Sequence, residues 1–384
     1  MQAKVDKEKS LKILQLESSN NWGGQEDRLL RESVWLRGKG HKVLLGCNQS
    51  AAIASRAAAA GIEVRAVSFR TNFDIAGWQA LASLVRRERP DLIHARSSKD
   101  AWFSLWFHQA GVPVVRSRHT TLPVRMPRGR RLIYRHGCRR LIASAEFISN
   151  TMRDAIGVAP EKIDVIGECV DPKEFCPGDG SSFRKEFGIP AGAPLFGMVA
   201  MLRDGKGHAT FLRAAREVLR HRPEARFALV GGSRSDNNQT ELMIRETLRS
   251  DFADLSPSPV ILTGLRHDIP HIMRALDCLV VPSKKEAQTM VIPQAFATAK
   301  PVIASNVGGI PELVSDGKNG LLIPPSEAAK LTEAMLKITA DPALASRLAA
   351  EARKFAEQEL TVDIKMSQLL SSYRKAVNPA ATAA

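Results

Sequence analysis

The sequence predicts an α/β protein of two doubly wound, Rossmann-like domains, and three observations carry this prediction. Short apolar runs of strand length alternate with stretches of helical periodicity along the chain. A length of 384 residues suits two domains of ordinary size. The turn-forming segment 178–182 (GDGSS) is typical of a linker. We therefore predict a first domain over residues 1–177, a second over 178–360, and a last helix with a tail over 361–384.

The first domain opens with a strand, a glycine turn and a helix. Gly23 and Gly24 follow the first strand and precede a helix over residues 25–37. The turn lacks the GxGxxG pattern, so nicotinamide binding is disfavoured. The remaining apolar runs predict the other strands of a parallel sheet. The predicted strands cover residues 11–16, 42–45, 63–67, 91–94, 112–115, 140–143 and 163–166.

Four aromatic residues and one histidine in this domain are candidates for a functional role. Four aromatic residues stand at helical spacing in a helix after residue 99, and we interpret them as core rather than as a stacking surface: Trp102, Phe103, Trp106 and Phe107. His119 lies in a polar loop just beyond the fifth strand. A lone histidine is usually structural, but ligands bind beyond the carboxyl ends of such strands, so this position raises the odds of a functional role.

Nine arginines stand between residues 116 and 140, interleaved with apolar side chains. Cationic and apolar residues in alternation suit an anionic bilayer surface, at about 1 kcal/mol for each charge near it. The alternative is an ordinary solvated helix face. The residues that we assign to a membrane surface are Arg128, Arg130, Arg131 and Arg135.

Charge, apolar runs and cysteine spacing indicate which partners and sites the chain can have. The net charge is +15, with the excess greater in residues 1–180, which favours an acidic substrate, an anionic membrane or nucleic acid. Arginines gathered in one loop, without aromatic residues placed for base stacking, argue against nucleic acid. No run approaches the roughly 20 apolar residues of a membrane span, and the polar start resembles no export signal. The five cysteines lack paired metal-ligand spacing, so we expect reduced thiols.

The second domain begins with an apolar strand and a basic turn. Arg203 and Lys206 stand in a glycine-containing turn between that strand and a helix from residue 208. Two cations at a helix start suit a diphosphate, although a purely structural pair is the alternative. The predicted strands cover residues 194–201, 226–230, 260–263, 278–281, 301–304 and 321–323, and the last helices residues 326–339, 343–358 and 361–377.

The segment 277–325 carries the most specific pattern. Glu286 lies in a strand-to-helix loop, and Gln294 follows eight residues later, about two helical turns on. Pro293 requires that the helix between them start close to it. From spacing alone, a capping carboxylate and a solvent-facing amide are an equal alternative to a ligand site.

This segment resembles the nucleotide-sugar site of retaining glycosyltransferases of the GT-B fold, family 4. The matching stretches are the pair Glu286 and Gln294, AFATAKPVIASNVGGIPELV and GKNGLLIPP. The family has a second Glu where this chain has Gln294, a position associated with the donor ribose. It often has an Arg where this chain has Met201. An amide can still hydrogen-bond two hydroxyls, so ribose binding remains the expectation.

The resemblance implies site residues and roles across the chain. His119, Glu286, Arg203 and Lys206 are expected to be catalytic, the two cations stabilising the leaving diphosphate. The last helix is expected to return to the first domain. The donor-binding residues implied by the resemblance are Gly23, Gly24, Leu265, Arg266, Ala287, Gln288, Thr289, Met290 and Gln294, with the base held by main-chain groups near the loop 265–266.

The expected reaction is sugar transfer with retention, from a nucleoside-diphosphate sugar to a glycan or lipid-linked acceptor. Neither a cofactor nor a metal ion is expected. We predict a cytoplasmic enzyme, peripheral on the inner face of the cell membrane, in envelope polysaccharide or lipopolysaccharide synthesis. Two alternatives stay open: a nucleotide-sugar epimerase of the same fold, and a degenerate, non-catalytic protein that docks on the membrane.

Overall fold

The computed structural model describes residues 9–72, 74–119, 121, 128–233 and 238–379, and of residues 128–130 the backbone alone. The chain divides into two compact units, one of Met1–Ile166 with Met366–Ala384 and one of Gly167–Lys365. Each unit contains one parallel sheet flanked by helices. The predicted α/β fold class with two Rossmann-like domains is therefore confirmed.

The division between the units lies at residue 166, whereas the sequence prediction ended the first domain at residue 177. Val170 and Phe175 are buried in the core of the second unit. Gly180 packs so closely on the backbone of Ala275 that a β-carbon there would collide with it. The segment 178–182 thus lies within the second unit with Gly180 buried in it, which differs from the linker expected there.

The first sheet has seven parallel strands in the order β3-β2-β1-β4-β5-β6-β7. They are β1 (Lys12–Glu17), β2 (Lys42–Cys47), β3 (Glu63–Ala66), β4 (Leu92–Ala95), β5 (Val114–Arg118), β6 (Arg140–Ala143) and β7 (Ile163–Val165). The order reverses between β1 and β4. In a doubly wound sheet this reversal is where a ligand is expected, beyond the carboxyl ends of the strands.

Six α-helices alternate with these strands in the described part of residues 9–166. They are α1 (Gly24–Gly38), α2 (Ala52–Ala59), α3 (Ile75–Glu88), α4 (Ser98–Gln109), α5 (Arg128–His136) and α6 (Glu146–Thr151), which continues as a π-helical turn, Met152–Ile156. Polar side chains fix two of the helix starts. Asp74 accepts a hydrogen bond from the Gly77 amide at 3.1 Å, and Ser97 and Asp100 cap α4 reciprocally.

The second sheet has six parallel strands in the order β10-β9-β8-β11-β12-β13. They are β8 (Leu195–Val199), β9 (Arg226–Val230), β10 (Val260–Gly264), β11 (Cys278–Val281), β12 (Val302–Ser305) and β13 (Leu321–Ile323). Its order reverses between β8 and β11. Strands β8 to β13 thus repeat the order of β1 to β6. In each sheet, we call the carboxyl ends of the two strands between which the order reverses the reversal edge.

The remaining helices begin with α7 and end with α14. They are α7 (Ser181–Glu186), α8 (His208–His221), α9 (Gln239–Asp251), α10 (Ile269–Ala275), α11 (Val291–Ala297), α12 (Ala328–Ala340), α13 (Pro342–Glu359) and α14 (Val362–Val377). Pro293 is the third residue of α11, where a missing N–H is tolerated, as the sequence required. From Met366 onward α14 belongs to the first unit.

The aromatic residues of α4 divide between core and surface. Phe103 and Phe107 are buried, in accord with the prediction. Trp106 is 65% exposed, so for this residue the core prediction is wrong. Its ring meets that of Trp78 edge to face, with 5.6 Å between centroids. All five cysteines are free thiols, four of them buried.

Candidate functional site

The reversal edge of the second sheet carries the predicted residues Lys206 and Glu286. Lys206 lies beyond β8 and Glu286 beyond β11, and their ammonium and carboxylate groups form an ion pair. The Ser283 hydroxyl donates a further hydrogen bond to the same carboxylate oxygen at 3.4 Å. Both charged side chains are largely buried, at 14% and 10% exposure. The structure therefore brings a cation and an acid together where a ligand of this fold is expected.

Two glycines with positive φ hold the backbone around this pair. Gly207 has φ +86°, and a β-carbon there would collide with the Pro282 carbonyl. Gly308 has φ +55°, and a β-carbon there would collide with the carbonyl of Glu286. Only glycine combines a positive φ with the absence of a β-carbon at low cost. Gly207 and Gly308 therefore allow the loops around Lys206 and Glu286 to approach each other closely. The Lys284 amide also donates to the Gly205 carbonyl at 2.8 Å, joining the two loops.

The rest of the loop 283–290 contains four residues predicted to bind the donor. Ala287 is buried, while Thr289 and Met290 are partly buried at the start of α11. Gln288 is engaged within the unit, because its side-chain oxygen accepts a hydrogen bond from the Glu168 amide at 2.6 Å. The side-chain oxygen of Gln288 is thus already bonded, whereas the other three positions remain predictions from the resemblance.

Gln294 lies in α11 and is 8% exposed. Its backbone takes part in the helix. Its side-chain amide has no hydrogen-bond partner in the part of the chain that the structure describes. A side-chain amide donates to and accepts from hydroxyl groups, so Gln294 has the groups needed to bind a ribose.

Arg203 and Lys206 differ in their surroundings. Arg203 is exposed, and the described residues give its guanidinium no hydrogen bond or ion pair. Lys206 lies two residues before the first residue of α8, whose first backbone N–H groups and positive dipole end favour an anion. His208, the first residue of α8, is buried. Burial, followed by the nearby charge of Lys206, lowers the pKa of His208 to about 4, so its imidazole is neutral at pH 7.

The loop after β10 holds Leu265 and Arg266. Leu265 is 64% exposed. Arg266 forms ion pairs with Glu186 at 2.5 Å and with Asp268 at 2.7 Å. Hydrogen bonds from Arg266 to these two acids raise the pKa of its guanidinium. The guanidinium is thus committed to two carboxylates, which leaves main-chain groups and the Leu265 side chain as the accessible parts of this loop.

The glycine turn of the first unit stands at the start of α1. Gly23 is the capping residue and Gly24 the first helical residue. Sequence reasoning missed the acid beside this turn, Glu17 at the end of β1. Its carboxylate accepts hydrogen bonds from Gln25 at 2.7 Å and from Ser97 at 3.0 Å. Burial raises the pKa of Glu17. Its position at a strand's carboxyl end was the signal that could have identified it.

His119 follows β5 directly. Its imidazole is partly buried, and neither ring nitrogen has a hydrogen-bond partner. Burial, and then the charges of Arg28, Arg96 and Arg118, lower the pKa of His119 well below its usual value. A neutral imidazole can donate from one nitrogen and accept at the other, so His119 can contact ligand hydroxyls.

The four arginines predicted to contact a membrane lie on α5. Arg131 is partly buried and Arg135 is exposed. The side chains of Arg128 and Arg130 lie outside the described residues. Leu132 on the same helix is 56% exposed.

No helix among the described residues is long and apolar enough to cross a bilayer. Likewise, residues 9–379, less the gaps named above, contain no cluster of three acids, histidines or cysteines suited to a metal ion.

Comparisons with known proteins bear on both units. A family model described as Glycosyltransferase Family 4 matches residues 22–174, and one described as Glycosyl transferases group 1 matches residues 193–341. The chain is 31% identical over 295 residues to a D-inositol 3-phosphate glycosyltransferase of Frankia alni, which covers 71% of each protein.

Solved structures share the fold at lower sequence identity. A glycosyltransferase from Rickettsia africae superposes with a TM-score of 0.88 at 18% identity, covering 96% of this chain and 99% of that one. HepE of Anabaena, solved in complex with UDP, gives a TM-score of 0.83 at 23% identity, covering 94% and 99%. Both similarities support a GT-B fold for this chain.

Proposed function

The chain belongs to the glycosyltransferase group 1 family, and on this premise we propose that it moves a sugar from a uridine-diphosphate donor to a hydroxyl of an acceptor, with retention. The observation that carries the proposal is the ion pair of Lys206 and Glu286 at one reversal edge, followed along the chain by α11 with its Gln294 side chain. HepE, which shares the fold, was solved with UDP and with UDP-glucose, which favours uridine as the base.

Each residue at this edge has a proposed task. Lys206 and Arg203 neutralise the diphosphate as its bond to the sugar breaks, helped by the start of α8. Glu286 accepts hydrogen bonds from sugar hydroxyls, and Gln294 bonds the ribose. From the resemblance we also propose a contact with the donor sugar for His119. Retention then follows from attack on the leaving-group face, with a phosphate oxygen taking the acceptor proton, and no metal ion is required.

The acceptor has two candidate classes. A lipid-linked envelope glycan, such as a lipopolysaccharide precursor, is favoured by the basic helix α5, where Arg135 and Leu132 are exposed. Exposed Trp106 on α4, which packs against α5, adds an apolar side chain suited to a headgroup boundary. The enzyme would then work peripherally on the inner face of the membrane. A phosphorylated cyclitol is favoured by the name of the Frankia alni relative.

Calorimetry with UDP, ADP and GDP, followed by product analysis with UDP-glucose, tests the proposal. We expect UDP to bind in the absence of metal ions and UDP-sugar to be turned over only with an acceptor. NMR of the product would show an α-linkage from an α-linked donor. Conversion of the donor without any acceptor would identify an epimerase. Failure of every nucleotide to bind would identify a degenerate, non-catalytic protein.

A further inference from the structure

A pocket of about 770 Å³ lies in the second unit, at the end of the sheet opposite to the reversal edge. Its lining residues Pro194, Asp277 and Pro301 directly precede β8, β11 and β12. Because the strands are parallel, these amino ends lie away from Lys206 and Glu286, which lie beyond the carboxyl ends. Strands of four or five residues separate the two ends by about 15 Å. The pocket is thus distinct from the donor site, and its volume is typical of small-molecule sites.

Apolar side chains, most of them small, form one part of the lining. They come from the segment before β8, from the end of α10, and from α12 and α13. Because alanine side chains are short, they leave room for an apolar chain, whose burial is favourable. These apolar lining residues include Ala193, Phe196, Ala275, Ile338, Ala345 and Ala349.

Three cations line the same pocket and are bonded to carbonyl groups. Arg184 donates to the Ala275 carbonyl at 3.0 Å, and Arg274 donates to the Cys176 carbonyl at 3.0 Å. Lys300 donates to the carbonyl of Arg274 at 2.8 Å. A neutral carbonyl fixes the position of a cation but does not cancel its charge. The cations are therefore held in place before any ligand arrives, which lowers the cost of binding.

Two carboxylates stand among the described lining residues, and each is already bonded. Asp277 accepts hydrogen bonds from the Arg184 guanidinium and from the Leu195 amide, both at 2.7 Å. Asp179 accepts from the amide of Ser181 at 2.9 Å and from its hydroxyl at 2.7 Å. Three cations and two carboxylates leave one positive charge in excess. This excess favours a singly charged anion and disfavours a protonated amine.

Lys300 has donors left for such an anion. Its ammonium group carries three N–H donors, and among the described residues one of them is bonded, to the Arg274 carbonyl. Burial lowers the pKa of Lys300, an effect that the charge of Asp277 opposes and that of Arg184 reinforces. A carboxylate at the remaining donors would replace the hydration that burial removes with charge-assisted hydrogen bonds.

We propose that this pocket binds a small carboxylate with an apolar chain, at a site separate from that of the donor. Lys300 meets the carboxylate, and the chain lies against Ile338 of α12 and Ala345 and Ala349 of α13. The single charge of the ligand matches the excess charge of the lining. The inference does not depend on the proposed function, because it uses no residue of the donor site.

Calorimetry with octanoate, octan-1-ol, octylammonium and acetate tests the inference. We expect octanoate to bind about tenfold or more tighter than each of the others, because it alone combines the negative charge with the chain. Lys300→Met should reduce octanoate binding to the level of octan-1-ol, whereas Lys300→Arg should retain the preference for octanoate. Lys354→Met, which changes an exposed lysine of α13 outside the pocket, is the matched control and should bind like the parent protein.

A second pair of variants tests the apolar part of the pocket. Ala349→Leu places a larger side chain in the space of the ligand chain and should weaken octanoate binding by about tenfold or more. Ala350→Leu, at the adjacent and exposed position of α13, is its control. Melting curves identify any variant that fails to fold, and the charge and the shape are tested at different residues. Equal binding of octanoate and octan-1-ol by the parent, or parental binding in folded Lys300→Met and Ala349→Leu, would overturn the proposal.

UDP binding, measured on the same samples, separates this inference from the proposed function. We expect UDP and octanoate to bind together without competition, because their sites lie at opposite ends of the sheet. Displacement of octanoate by UDP would overturn the separate site. UDP binding without a preference for octanoate defeats this inference alone. Octanoate binding that depends on Lys300, with no UDP binding, supports this inference and defeats the proposed function.

Discussion

The six strands of the second sheet repeat the order of β1 to β6 in the first, yet the side chains at the two reversal edges differ in how they are bonded. In the first sheet, Gln15 and Glu17 of β1 and Arg96 after β4 are buried and bonded to neighbouring side chains. In the second, among the described residues, the side chains of Lys206 and Glu286 have only each other and Ser283 as partners, and the Gln294 side chain has none. The strand order thus fixes where a ligand can bind. The residues at that place decide whether their polar groups are already bonded to other side chains, as in the first sheet, or are left for a ligand, as in the second.

A network of buried ion pairs stabilises the reversal edge of the first sheet. Glu32 pairs with Arg28 at 2.9 Å and also with Arg96, and all three side chains are nearly inaccessible. Arg96 donates further to Gln15. His94 joins the same region to the last helix through a 2.6 Å contact with the Tyr373 hydroxyl. Burying charges is costly, so such a network is stable only while every partner is present.

The largest expected effect comes from breaking this network. Glu32→Gln removes the charge of the carboxylate that Arg28 and Arg96 share, so two buried guanidinium groups lose this counter-charge. We expect the free energy of unfolding to fall by about 3–5 kcal/mol, measured by urea denaturation. Glu333→Gln is the control, because the Lys330–Glu333 pair is exposed and its loss should cost less than about 1 kcal/mol. Equal effects of the two changes would contradict the buried network.

The second prediction concerns the arginines of α5, which either bind an anionic membrane surface or stabilise the fold. Changing Arg128, Arg130, Arg131 and Arg135 to Gln removes four charges, worth up to about 4 kcal/mol of binding to an anionic bilayer at low salt. We expect weaker co-sedimentation with anionic vesicles and an unchanged melting temperature. A lowered melting temperature with parental vesicle binding would instead make these arginines structural, like those of the buried network.

The third prediction concerns the pair at the open edge. Lys206→Met should weaken UDP binding by about 1.5–3 kcal/mol, because it removes a charge-assisted bond to the diphosphate, and Arg203→Ala should act in the same direction. Glu286→Gln should lower turnover by a similar free energy while UDP affinity stays nearly unchanged. Kinetics and calorimetry measure the two quantities separately.

The control for the open edge is Glu327→Gln, an exposed acid at the start of α12. It should leave both binding and turnover as in the parent. If Lys206→Met and Glu286→Gln only lowered stability and left UDP affinity and turnover unchanged, the pair would be structural. The contrast between the two reversal edges would then disappear.

The sequence predicted the strands well because each is a local apolar run. The predicted bounds at Arg140–Ala143, Arg226–Val230, Cys278–Val281 and Leu321–Ile323 coincide with those of the structure. It also placed Glu286 and Lys206 beyond strand ends, since that rule needs only the order of elements. Their direct pairing across 80 residues was not visible in any local pattern.

What the sequence could not predict depends on contacts between distant residues. Arg96 and Glu32 are 64 residues apart, and neither carries a motif. The exposure of Trp106 depends on which neighbours cover α4, whereas helical spacing alone made it resemble its buried neighbours. The unit boundary at residue 166 depends on Val170 and Phe175 packing into a core formed mainly by later residues.

The smallest expected effect is that of Gln294→Glu, which restores the acid of the family pattern at the open edge. A carboxylate accepts charge-assisted bonds from both ribose hydroxyls, about twice as strong as those of an amide. Against this, the new charge repels the diphosphate and must be partly buried, since this side chain is 8% exposed. Because these effects oppose each other, we expect UDP affinity to change by less than about tenfold, or ~1.4 kcal/mol. Calorimetry beside a melting curve measures it. Complete loss of binding with an unchanged melting temperature would mean that Gln294 does not face the ribose, and that its unpaired amide serves another ligand group.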